Sequence, residues 1–144
     1  MILNLTRKTI LSNTPRRAAG FSERLFGMIG RKFIDFDAMV FDHCNAIHTC
    51  FMTEPVDVIF VSKDVKVLKT VQNLSPWRPF VYCKNAFYVI ELPPGIISCT
   101  GTGEGDRLDL ACVLKPELEK SLARANAGMA PSSPETAVPL ETKG

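Results

Sequence analysis

Apolar positions crowd the middle of the chain. Val56, Val58 and Phe60 alternate with Asp57, Ile59 and Val61, so a strand over 56–61 carries apolar side chains on both faces. Such a strand belongs deep in a core, and Asp57 is its lone polar exception. Ser62-Lys63-Asp64 is turn-like, and the chain resumes with Val65, Val67 and Val71 on one side. A hairpin over 56–71 follows. Upstream, 47–55 reads as an extended segment that runs into a turn marked by Pro55. Ala38-Met39-Val40-Phe41 reads as another buried strand, ending at Asp42-His43. Residues 85–92 form a third, stopped by Pro93-Pro94-Gly95. Arg107 to Val113 is a closing strand with Leu108, Leu110 and Cys112 on a common side.

The flanks are less regular. Ile2-Leu3, Leu5 and Ile10-Leu11 allow one or two edge strands, which Pro15 ends. Ser22 suits a helix cap, Glu23 the positive end of its dipole, and Phe21 with Phe26 a hydrophobic staple. Gly27 and Gly30 each cost about 1 kcal/mol in a helix, so the element is short. Residues 73–79, with Pro76-Trp77-Arg78-Pro79, form a crossing loop, and Gly101 to Asp106 a glycine-rich turn. The expected fold is mainly β, a small sandwich or partly closed barrel with one short helix near residues 22–31. Residues 1–114 are expected to form a single β-rich domain, 115–127 a C-terminal helix and 128–144 a disordered tail.

Composition narrows the class. With 46% hydrophobic and 22% charged residues the chain is that of a globular protein. No apolar run approaches the roughly 18–20 residues of a membrane-spanning helix. The N-terminus lacks the apolar stretch of a secretory signal, so a soluble, cytoplasmic protein is expected. The net charge of +2 is unevenly spread. Residues 1–32 carry seven Lys/Arg against Glu23, whereas 33–64 carry six acids against Lys63. The basic side chains of the N-terminal part are read as facing solvent and the acidic segment beside them, so no nucleic acid is expected as its partner. The five cysteines, at 44, 50, 83, 99 and 112, are odd in number and contain no Cys-x-x-Cys. Reduced thiols in apolar surroundings fit better than a disulfide framework.

Several motifs in order carry a family resemblance. Glu23-Arg24-Leu25-Phe26-Gly27-Met28-Ile29-Gly30-Arg31 is similar to a helix-turn motif of the form Arg-x-x-Gly-apolar-apolar-x-Arg. Asp37 to Phe41 looks like the strand that follows it. Phe51-Met52 with Pro55-Val56-Asp57-Val58-Ile59-Phe60 resembles a central Met-x-x-x-apolar-Asp-apolar-apolar-Phe motif. Tyr88 to Gly95 and Gly105-Asp106 match closing Leu-Glu-Leu-x-x-Gly and Gly-Asp signatures. Together they resemble the prokaryotic domain-of-unknown-function 192 family over about residues 20–110. The resemblance implies a compact, β-rich bacterial protein with a short helix, and it supplies no catalytic activity. The family's usual Trp-Met-x-Asn is Phe51-Met52-Thr53-Glu54 here.

Candidate chemistry is sparse. His43-Cys44 and His48-x-Cys50 do not have the ligand spacing of a zinc site, so no metal or other cofactor is expected. A Cys50–His48 nucleophile pair, two residues apart on a strand, would seldom reach hydrogen-bond geometry, and no catalytic residue is assigned. The glycines at 101, 103 and 105 lack the lysine and strand-to-helix setting of a phosphate loop. Asp57 and Glu91 stand out as carboxylates embedded in apolar strands. Each must be paired, protonated or exposed to a wet cleft. One reading lines a polar pocket with them and His48, for a small polyhydroxylated or cationic ligand. The other has them accept backbone N–H bonds or pair with Arg24 or Arg31. Candidate ligand-binding residues are therefore His48, Met52, Asp57, Glu91 and Trp77. Three functions follow: a non-catalytic binding or accessory module with a polar cleft; a small hydrolase or metal-dependent enzyme using His48 with Asp57 or Glu91; and an adaptor whose Trp77 loop docks a protein partner. The last is tied by family gene neighbourhood to pilus or secretion assemblies.

Overall fold

The alternation at 56–61 is what builds the molecule. In the computed structural model, which describes residues 1–18 and 35–114, every residue of Val56–Val61 is buried. This strand, β6 in chain order, lies between two neighbours and has no exposed edge. The described residues form β1 (Ile2–Asn4), β2 (Thr9–Ser12), β3 (Pro15–Arg17), β4 (Ala38–Asp42), β5 (Ala46–Ile47), β6, β7 (Val67–Leu74), β8 (Val81–Tyr82), β9 (Tyr88–Leu92), helix α1 (Ile96–Thr100) and β10 (Leu108–Asp109). A five-stranded sheet runs β3-β4-β9-β6-β7, and a second sheet runs β10-β1-β2. β5 and β8 pair separately. All of these contacts are antiparallel except β3 with β4. The fold is mainly β, and its sheets do not close into a barrel.

Period-2 alternation sorts the five-stranded sheet's side chains into two cores. Ala38, Val40, Ile59, Val61, Ile90 and Leu92 face one way and pack against Ile2, Leu11, Ile97, Leu108 and Leu110. That contact makes the sandwich. Met39, Phe41, Val56, Val58, Phe60 and Val89 face the other way, with Phe36, Met52 and Leu74 in the same cluster. A strand buried on both faces reads as a near-continuous apolar run, and β4, β6 and β9 are such runs.

The structure amends several expectations. Pro15 begins β3 rather than ending a segment; as the first residue of an edge strand its missing N–H costs nothing. Val67 and Val71 face opposite cores, because the register of β7 slips against β6 between Phe60 and Val61 and a bulged residue reverses the alternation. The closing strand stops at Asp109, and a helical turn begins at Ala111. It leaves Cys112 exposed and buries Val113. Ile96–Thr100 is a helix that apolar pattern alone did not announce. Gly95 precedes it at φ 91°, a left-handed conformation that glycine adopts freely. The helix expected at 22–31, the C-terminal helix at 115–127 and the tail at 128–144 lie outside the described residues.

Candidate functional site

Asp57 takes the structural role of the two that sequence left open. Alternation turns it away from Val56 and Val58 and toward the side of Ile59. There it is fully buried. Its Oδ2 accepts the backbone N–H of Ile97 at 2.8 Å, and its Oδ1 that of Asn73 at 2.9 Å. The second bond depends on a bulge in β7, where Asn73 sits at φ 49° and the register slips between Val56 and Val58. One carboxylate thus ties β6 to the start of α1 and to the end of β7.

Glu91 is a different object. In β9 it is opposite Met39 on one side and Val58 on the other, so its side chain belongs to the second core. It is 3% exposed, and its Oε2 has no hydrogen-bond partner among the described residues. Burial pushes its carboxyl up to about 8, which keeps it protonated at neutral pH. Asp57 and Glu91 therefore lie on opposite faces of one sheet and cannot line a common cleft. Strand parity is the reason: Asp57 shares a side with Ile90 and Leu92, Glu91 with Val58 and Val89.

His48 is half-buried, just after β5. The extended segment expected there is cut short, because Cys50 and Phe51 turn, with Phe51 at φ 65°. His48 and Cys50 therefore do not share a strand face. Met52 is buried in the second core. Among the described residues, no three His, Cys, Asp or Glu side chains are grouped as metal ligands. The Gly105-Asp106 signature is structural as well. Gly105 is at φ 91° and makes the turn. Asp106, buried beside it, accepts Asn4 Nδ2 at 2.9 Å, the Gly103 N–H at 2.9 Å and Arg7 Nε at 3.1 Å. Burial alone would raise its carboxyl, but these donors outweigh it and hold the group below the ordinary range.

Trp77 leads to a surface that sequence reasoning largely missed. It is 62% exposed and meets Phe51, 60% exposed, edge to face with ring centroids 5.0 Å apart. Both residues are left-handed, at φ 63° and 65°. For side chains of this bulk that geometry costs about 1–2 kcal/mol each and persists only where neighbours impose it. Thr49 imposes it. It is fully buried, donates from Oγ1 to the Ser75 carbonyl at 2.8 Å, and accepts the Arg78 N–H on the same oxygen at 2.9 Å. Its carbonyl takes the Trp77 N–H at 2.8 Å and the Met52 N–H at 3.2 Å, and its own N–H donates to the Arg78 carbonyl at 2.8 Å. One threonine therefore fastens the 50–52 turn to the 75–78 loop. Next along the chain, Phe80 and Tyr82 stack with centroids 6.0 Å apart and planes 9° from parallel, at 69% and 43% exposure. The sequence marked this surface through Trp77 in its proline-rich loop and did not bring Phe51, Phe80 or Tyr82 to it.

With this geometry in place, the relatives can be set beside it. The profile of the DUF192 family, described as an uncharacterized ACR, matches residues 5–110. The UPF0127 protein of Pyrococcus furiosus is 34% identical over 112 residues, which are 75% of this chain and 96% of that protein. The UPF0127 protein of Pyrococcus abyssi is 36% identical over 101 residues, 69% of this chain and 82% of that one. A crystal structure of a protein of unknown function from Novosphingobium aromaticivorans aligns with a TM-score of 0.59 at 22% identity, covering 66% of this chain and 73% of that chain. It shares the fold. The match over most of the described sheet strands, together with relatives above 30% identity along most of their own length, places the chain in the DUF192 (UPF0127) family.

Proposed function

We propose that this protein is a non-catalytic binding module that engages a protein partner through its exposed aromatic lobe, the Trp77 loop with Phe51, Phe80 and Tyr82. One observation carries the reading. Two large aromatic side chains are held in strained left-handed conformations and turned toward solvent by a buried threonine that joins their loops. Strain of this kind gathers where a surface is kept ready for contact. Trp and Tyr are also the side chains that dominate binding energy at interfaces. Five free thiols suit a reducing, cytoplasmic setting, and among the described residues no helix is long and apolar enough to cross a membrane.

Two other readings draw less support. A polar cleft for a small ligand needs Asp57 and Glu91 in one lining, and they lie on opposite faces. A hydrolase using His48 with Asp57 would need a carboxylate free to take a proton, whereas both oxygens of Asp57 accept backbone N–H groups. The test is affinity capture with the full chain, run beside Trp77→Ala and Phe51→Ala. Partners retained by the parent and lost from both variants are the expected outcome. An unchanged set of partners would remove the lobe from the account, and a thermal-shift response to sugars that Glu91→Gln abolishes would favour the cleft.

A further inference from the structure

The stretch that carries Trp77, Phe80 and Tyr82 is basic. From Val65 to Ile90 the chain carries Lys66, Lys69, Arg78 and Lys84 and no acid; Asp64 and the buried Glu91 border this stretch in sequence, Glu54 lies three residues from Phe51, and Glu104 acts electrostatically on Cys83. Arg78 and Lys84, two residues before Phe80 and two after Tyr82 in sequence, are exposed. Lys69 is brought to the same place from β7, its Nζ donating to the Tyr82 carbonyl at 3.2 Å. Apolar rings that lie open to solvent among cations are half of an interface whose other half is apolar and negative.

We infer that the lobe takes an acidic polypeptide segment, its apolar side chains seated against Phe51, Trp77, Phe80 and Tyr82 and its carboxylates meeting Arg78, Lys84 and Lys69. The inference rests on the binding-lobe reading above and adds the chemistry of the partner. A single-stranded nucleic acid suits the surface less well. It needs a row of free ring faces and a track of cations along the backbone. Here the rings are already paired with one another, edge to face in one pair and stacked in the other, and of Arg78, Lys84 and Lys69 only the first two are exposed. Edges and clefts between such pairs fit side chains.

A random 12-residue peptide-display library panned on the full chain tests this. The enriched sequences are expected to be rich in Asp and Glu beside aromatic, proline or leucine residues. The best of them, made synthetically, is expected to quench the fluorescence of the sole tryptophan, Trp77. Arg78→Glu is expected to weaken that peptide at least about tenfold, as is a rise to 0.5 M salt, and Trp77→Phe, followed by peptide anisotropy, much less so. Circular dichroism of each variant checks that the fold is kept, which exposed positions allow. Enrichment of neutral or basic peptides that still depend on Trp77 would overturn the acidic partner and leave the lobe standing. Peptides indifferent to Phe51→Ala and Trp77→Ala, or no enrichment at all, would overturn both. Tight binding of a thymidine 12-mer with no peptide selected would replace the polypeptide with nucleic acid.

Discussion

Replacing Glu91 by glutamine removes a titration from the interior while leaving shape and volume almost unchanged. Burial holds this carboxyl near 8, against 4.5 for an unburied glutamate. Below pH 4.5 the group is protonated in both folded and unfolded chains, and its contribution to stability is fully present. As pH rises, the unfolded chain ionises first and is favoured by about 1.36 kcal/mol per unit. The loss continues until the folded group ionises as well, near pH 8. Glutamine has no such slope. The stability difference, Glu91→Gln minus parent, should therefore rise by roughly 2–3 kcal/mol between pH 5 and pH 7 and level off above pH 8. Urea unfolding of both proteins at pH 5, 6, 7 and 8 measures it, and every other titrating group cancels in the difference. A difference that does not change with pH would mean that Glu91 is ionised in the folded protein, solvated or matched by a cation, and would refute the reasoning.

Asp57→Asn should destabilise by roughly 2–4 kcal/mol, since an amide can accept only one of the two backbone N–H bonds and points a donor at the other; a midpoint within about 0.5 kcal/mol of the parent would show that the buried carboxylate is not a tie. Thr49→Val keeps the shape but loses both bonds of the hydroxyl, at a cost of about 1–3 kcal/mol. It should also lower the steady-state anisotropy of Trp77, and an unchanged anisotropy would deny that Thr49 holds the loop. At φ 63° the left-handed backbone at residue 77 favours glycine, so Trp77→Gly should be more stable than Trp77→Ala by about 1 kcal/mol in urea, the reverse of the order found in helices.

The parts of the fold that were legible are those where alternation met burial. Val56–Val61, Ala38–Asp42 and Tyr88–Leu92 announce themselves because a strand covered on both faces must be apolar at nearly every position. Val67 and Val71 misled because a bulge, which leaves no mark on composition, reversed the parity between them. Ile96–Thr100 was hidden by its length: five residues are too few to show a helical period. At the sites, the sequence marked Asp57 and Glu91 as anomalies but could not place them on opposite faces, since that depends on which neighbour each strand pairs with. Trp77 was visible as an isolated aromatic in a proline-rich loop. Its partner Phe51 and the Thr49 anchor were not, because the contact joins residues 26 and more positions apart through backbone groups that every residue carries.

The claim on which the account stands is that the aromatic lobe is the binding surface. Because the chain has one tryptophan, its indole N–H gives a single resonance in a proton–nitrogen correlation spectrum. Titration with the panned acidic peptide should move that resonance and the backbone amides of Thr49, Phe51, Arg78 and Tyr82, while the amides of Asp57 and Glu91 stay in place. A Trp77 indole signal that stays fixed while amides around β6 and β9 shift would contradict it.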